Sequence, residues 1–161
     1  MRVFNLVRLA GLAIYNKLDT ELQGIKTQFP GIAGDTATDE DLEWVSAYLL
    51  TSSGQRVRGD SSQRLGLLQV TCSAQSVDRG ADIEHDRPFI LAGRVEEILS
   101  KERLTIQDES GVVVGCMALV ADPSYAYLAP QNIVKPNLGV NFQPTHSHSV
   151  MLTFRFTITS V

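Results

Sequence analysis

An excess of positive charge, a long hydrophobic run and a cysteine framework are all missing from this sequence. The formal net charge is −4 at pH 7, so the chain lacks the strongly basic character of a free-standing nucleic-acid binder. A local surface that faces DNA is still compatible with that charge. No uninterrupted apolar run approaches the ~20 residues that a membrane-spanning helix needs. We therefore expect a soluble protein that is made and kept in a cytoplasm.

Cysteine is scarce as well, with two residues in the whole chain. Cys72 and Cys116 are far apart in sequence, and each lies inside an apolar run. Such residues are more often buried free thiols than halves of a disulfide. This favours a reducing compartment.

The sequence also has few histidines, which restricts the kinds of catalytic or metal site that it can form. His85 lies among charged residues at the expected start of a helix, where we interpret it as solvated. His146 and His148 form a His-x-His pair that would share one face of a strand and could supply two ligands to a metal ion. No third ligand is evident, so we interpret both as solvated histidines at the start of a strand. We expect no enzyme activity and no cofactor, and a small metal-binding enzyme or ligand-binding module remains the alternative.

Two segments have the apolar spacing of amphipathic helices. Apolar residues recur at steps of three and four over residues 3–22, and Gly24 is suited to end that helix. The second helix is predicted to begin near Asp86 and Pro88 and to run to Leu99.

Strand patterns occupy much of the remaining sequence. Residues 43–51 are rich in β-formers, and residues 68–73 alternate between apolar and polar side chains. Two long strands joined by a long loop favour an antiparallel pair. A hairpin is predicted from residues 103–107 and 112–120. The clearest strand is 150–158, where Val150 and Leu152 face one way and Met151, Thr153 and Arg155 face the other.

Four prolines interrupt residues 121–148, which show no regular period and are predicted to form an extended arm or long loop. At 161 residues, the chain has the usual size of one domain, which we place at residues 1–161. The predicted fold class is α+β. We expect a mostly antiparallel sheet of about four to five strands, two helices packed on one of its faces, and the long arm before the C-terminal strand.

This order of elements resembles the tail terminator, or tail completion, proteins of long-tailed bacteriophages. The resemblance covers nearly the whole chain. It rests on the N-terminal helix, the segment Glu43-Trp44-Val45-Ser46-Ala47-Tyr48-Leu49-Leu50, the Gly/Ser/Arg-rich loop after it, the segment Arg64-Leu65-Gly66-Leu67-Leu68-Gln69-Val70, the second helix and the closing strand. The arm at 121–148 is longer than expected for that family.

The resemblance implies a structural virion protein of the tail or neck that assembles in the host bacterial cytoplasm. It would form a homohexameric ring that caps the tail tube, ends tail polymerisation and joins the tail to the head. Its partners would be copies of itself, the tail tube protein and a head-tail connector or head-closure protein, with DNA passing through the lumen without sequence-specific binding. A head-closure or connector protein is the alternative within the neck.

A ring needs surfaces that meet between copies, and exposed loops or sheet faces are the natural choice. The candidate interaction residues are Gln69 and Thr71 on the polar face of one strand, Arg155 on the closing strand, and Arg56 and Arg58 in the loop. The two loop arginines could contact an acidic partner or DNA in the lumen, although each taken singly is more simply a solvated side chain.

Overall fold

The structure, a computed structural model, describes residues 5–35, 37, 41–51, 55–56, 62–76, 86–100, 103–133 and 145–161. Within those residues the chain forms two α-helices and seven β-strands. In chain order they are α1 (Leu6–Glu21), β1 (Lys26–Gln28), β2 (Glu43–Thr51), β3 (Gln55–Arg56), β4 (Ser62–Ser76), α2 (Arg87–Ser100), β5 (Leu104–Gln107), β6 (Val113–Ile133) and β7 (Thr145–Ser160).

One mixed sheet contains all of these strands. Its order is β1-β2-β4-β7-β6-β5, and β3 pairs with one end of β4. The β1–β2 pair is parallel, and the other pairs are antiparallel. The sheet curls into a half-barrel, and the structure is 53% strand. The predicted fold class, an α+β domain with an antiparallel sheet of four to five strands, is therefore wrong, because the protein is mostly β.

The main error lies in the segment predicted to be an arm. β6 continues through residues 121–133 and β7 begins at Thr145, so strands occupy all of the described part of 121–148. Residues 134–144 lie outside the described residues. Register shifts interrupt the β6–β7 pairing between Ala121 and Ser124 and between Leu128 and Gln131. Pro123 and Pro130 lie at these irregularities, where a missing N–H does not break a regular ladder.

The first helix begins and ends where its local sequence allows. The Asn5 side chain accepts hydrogen bonds from the backbone N–H groups of Val7 and Arg8 and so caps α1. Past its other end, Gly24 has a φ of +79°, a conformation that glycine adopts without a Cβ clash. These features agree with the predicted first helix.

The helices and the sheet share one hydrophobic core. Ile14 and Leu18 of α1 and Leu91 and Val95 of α2 are fully or almost fully buried against the same face of the sheet. The three central strands, β2, β4 and β7, contribute alternate residues to this core. The inward side chains of the three central strands are Val45, Ala47, Leu68, Val70, Cys72, Val150, Leu152, Phe154, Phe156 and Ile158.

Candidate interaction surface

The opposite face of the sheet has no helix on it within the described residues, and we call it the open face. Strand alternation places every second residue of β2, β4 and β7 there. The open face comprises Trp44, Ser46, Tyr48 and Leu50 of β2, Leu65, Leu67, Gln69, Thr71 and Ser73 of β4, and Ser149, Met151, Thr153, Arg155 and Thr157 of β7.

One end of the open face is apolar, and four residues that we call the apolar patch lie there. They are Tyr48, Leu50, Leu65 and Leu67, with exposed fractions of 53%, 43%, 60% and 40%. Leu50 is directly opposite Leu67 in the β2–β4 pairing, so the patch crosses two strands. An exposed cluster of large apolar side chains at a sheet surface is a common mark of a protein-binding site.

Arg155 borders the apolar patch. It is exposed and lies directly opposite Leu67 in the β4–β7 pairing. Arg155 is the only formally charged residue of the open face as defined above. No carboxylate pairs with it within the described part of the chain. A lone positive charge beside apolar side chains suits a partner that offers a carboxylate next to an apolar contact.

The other end of the open face is mainly polar, and its two large apolar side chains, Trp44 and Met151, are half-buried. Gln69 and Thr71 are half-buried on β4, and the hydroxyl groups of Ser73 and Ser149 lie 2.8 Å apart and hydrogen-bond across β4 and β7. This bond gives each hydroxyl a partner within the chain. The apolar end is therefore the part of the open face where a bound partner would remove the most apolar surface from water.

The open face brings together three of the five predicted interaction residues. Gln69 and Thr71 occupy successive rows of the sheet, and Arg155 lies one row beyond Gln69 on β7. The backbone of Arg56 lies in β3, but its side chain lies outside the described residues, as does the whole of Arg58.

Sequence reasoning missed the leucines of the apolar patch. The run Leu65-Gly66-Leu67-Leu68 puts apolar residues on both faces of β4, which hides the alternation that is clear from Leu68 onward. The sequence does indicate where Leu65 and Leu67 lie. They are an even number of residues away from Gln69 and Thr71, so all four side chains lie on the same face of the strand.

His148 lies on the helix-covered side of the sheet, in an aromatic cluster with Tyr127 and Phe89. Its Nδ1 is 2.6 Å from the Tyr127 hydroxyl, and the two rings are 6.2 Å apart. The Tyr127 ring stacks on Phe89 of α2, with centroids 6.1 Å apart and planes 4° from parallel. His148 is 2% exposed, so the expectation of a solvated histidine is wrong at this position. The side chain of His146 lies outside the described residues.

The cluster continues to Tyr125, whose hydroxyl donates a hydrogen bond to the Glu96 carboxylate of α2. Desolvation, followed by this hydrogen bond and the negative charge of Glu96, raises the pKa of Tyr125 to about 12. Together these contacts, which involve Phe89 near the start of α2 and Glu96 in its second half, fix the helix to β6 and β7.

Within the described residues, no group of three or more His, Cys, Asp or Glu side chains is arranged to hold a metal ion. Burial raises the pKa of Cys72 to about 12, which keeps its thiol protonated and unreactive at neutral pH. Neither helix of the described part has both the length and the apolar character required to cross a membrane.

No protein-family model matches the chain, and no curated protein matches it. Among solved structures, fifteen chains resemble it. One of them aligns over 93% of this chain and 93% of its own length, with a TM-score of 0.56 and 13% sequence identity. The name of that protein says nothing about its function. At this identity the similarity shows a shared fold.

Proposed function

We propose that this protein is a structural component of a bacteriophage tail, which forms a ring on the end of the tail tube, ends tail polymerisation and provides the surface for joining the head. The family resemblance of the sequence motivates this proposal. The observation that carries it is the apolar patch on the open face, because a protein that works through assembly needs such a contact surface.

The distribution of polar and apolar residues on the open face supports a binding role. The apolar patch joins large side chains from two strands, β2 and β4, whose pairing is unbroken from Glu43 to Thr51. A rigid surface loses little conformational entropy when a partner binds. Arg155 at its border adds selectivity, because a partner without an opposing carboxylate would leave the charge poorly compensated.

The long free edge of β6 is less suited to assembly. Within the described residues, β5 pairs with β6 only from Val113 to Met117, and no strand covers the same edge beyond Met117. Register shifts and two prolines interrupt that edge. Such features discourage the addition of a further strand. Partners are thus better accommodated on the face of the sheet than along this edge.

Deletion of the gene from a phage that carries it tests the proposed function. We expect tails that are overlong or that do not join heads, visible by electron microscopy of the lysate. Supplying the wild-type protein in trans should restore tails of normal length, whereas a variant with Leu67→Glu should restore them poorly. The Glu side chain would place a charge in the centre of the apolar patch.

A defect in heads instead of tails would assign the protein to the head side of the neck. Heads that lose their DNA while tails keep normal length would contradict the terminator function and indicate a head-closure or connector protein. Normal particles in the deletion strain would contradict any neck function.

A further inference from the structure

A second exposed surface, which we call the helix tip, consists of Asp86, the residue before α2, and of Phe89 and Ile90 in the first turn of α2. Ile90 is 63% exposed and Phe89 is 46% exposed, and Asp86 is exposed beside them. One side of the Phe89 ring stacks on Tyr127, so the helix tip is held against the sheet. The helix tip is therefore a preformed apolar knob that carries one carboxylate.

The helix tip and the border of the apolar patch have complementary chemistry. The helix tip combines large apolar side chains with the carboxylate of Asp86, and the patch combines large apolar side chains with the guanidinium of Arg155. A carboxylate is the group that a guanidinium binds best, because two N–H groups can meet its two oxygens.

The spacing of the charged and apolar groups also agrees between the two surfaces. The backbone N–H of Ile90 donates to the carbonyl oxygen of Asp86, so the two residues lie one helical turn apart with Cβ atoms about 6 Å from each other. Arg155 and Leu67 are directly opposite in the sheet, where Cβ atoms are about 5 Å apart. A single orientation of one copy on another can therefore form the ionic contact and the apolar contact at the same time.

We propose that the helix tip of one copy of this protein binds the apolar patch of another copy, with Asp86 against Arg155 and Ile90 against Leu67. The inference rests on the proposed function, for which the copies must form a ring, and it names the two surfaces that meet. The helix tip belongs to the helix-covered side of the sheet and the patch belongs to the open face. Each copy therefore binds its two neighbours through different surfaces, and such an interface gives a ring when the rotation between copies closes and an open filament when it does not.

Charge reversal tests the pairing of Asp86 with Arg155. Wild-type protein, Asp86→Arg, Arg155→Glu and the double variant are compared by sedimentation velocity and native mass spectrometry over a wide range of protein concentration. We expect wild-type protein to form species larger than dimers. Each single reversal should weaken this association by at least about tenfold, because like charges would then meet across the interface. The double variant should recover most of the association.

Two further variants separate the apolar contact from a general effect of added charge. Ile90→Glu should weaken the association as strongly as the single reversals. Val112→Glu is the matched control, because Val112 is 59% exposed but lies on the turn between β5 and β6. It should associate like wild-type protein. Circular dichroism and thermal melting of each variant check that the monomer is folded.

Three outcomes would overturn this inference. Wild-type protein could be monomeric at every concentration, both single reversals could associate like wild-type protein, or the double variant could remain as weak as the folded single variants. Tail length in the deletion strain is measured independently of these results. An unaffected charge-reversal series with overlong tails would therefore reject the pairing and retain the proposed function, and normal tails would reject the function whatever the association in solution.

Discussion

At the scale of single residues, Cys72 shows how burial controls chemistry in this protein. Its side chain is fully buried between the sheet and the helices, and desolvation raises the pKa of its thiol from 9.0 to about 12. Cys116 is half-buried and serves as an internal control. In native protein at pH 8, we expect iodoacetamide to label Cys116 much faster than Cys72, as measured by peptide mass spectrometry. Equal rates would contradict the burial of Cys72.

The same shift in pKa predicts how stability depends on alkaline pH. The folded state keeps the Cys72 proton up to about pH 12, whereas the unfolded state releases it from about pH 9. The unfolding free energy should thus fall as pH rises above 9, with a limiting slope of about 1.4 kcal/mol per pH unit from this group. Denaturant titrations of wild-type protein and Cys72→Ala measure the difference, and equal slopes would exclude this contribution.

Replacement by alanine is expected to have opposite effects on the unfolding free energy at two glycines. Gly34 has a φ of +93°, and a Cβ atom there would lie 2.8 Å from the Gln28 Cα and overlap the Thr27 carbonyl oxygen. Gly34→Ala should cost about 2 kcal/mol or more of unfolding free energy. Gly93→Ala, in exposed helix with no atom within 4 Å, should add about 0.5–1 kcal/mol. Chemical denaturation of both variants tests this contrast, and a neutral Gly34→Ala would contradict the described turn.

At the scale of elements, the aromatic cluster determines how firmly α2 is held on the sheet. Tyr127→Phe keeps the stacking on Phe89 but removes the hydroxyl that bonds to His148. We expect a loss of about 1–2 kcal/mol in unfolding free energy, because His148 is buried and loses a hydrogen-bond partner. Amide hydrogen exchange should accelerate in the first turns of α2. Tyr48→Phe on the open face is the control and should change stability by less than about 0.5 kcal/mol.

The elements also differ in how well their sequences predict them. The two helices and β4 follow from periodicity, because each has a buried stripe long enough to repeat, whereas β2 follows from its content of β-forming residues. β1 has three residues, which is too short for any period, and its parallel pairing comes from tertiary packing. The sequence pattern does not predict the second half of β6, because its prolines and register shifts interrupt the alternation of apolar and polar residues.

At the scale of the whole molecule, the length of the strands explains why the observed fold class differs from the predicted one. β6 and β7 have 21 and 16 residues, and such long, irregular strands allow the sheet to curl into a half-barrel. Period-two alternation does predict that Gln69 and Thr71 share a face of one strand. It does not predict that Arg155 meets Leu67, because that contact depends on the register between β4 and β7.

This register leads to a prediction about ionic strength. If Asp86 and Arg155 meet between copies, added salt should weaken the self-association of wild-type protein, because the pair lies at the border of the apolar patch and is open to screening. The variant with Asp86→Asn and Arg155→Met removes both charges and keeps the apolar contacts. Its association should be insensitive to salt or should strengthen slightly, as expected for apolar contacts. Sedimentation velocity at low and high sodium chloride measures both proteins. If both proteins had the same salt dependence, the charges of Asp86 and Arg155 would lie outside the interface. That result would contradict the pairing, but it would not contradict an assembly held together by other contacts.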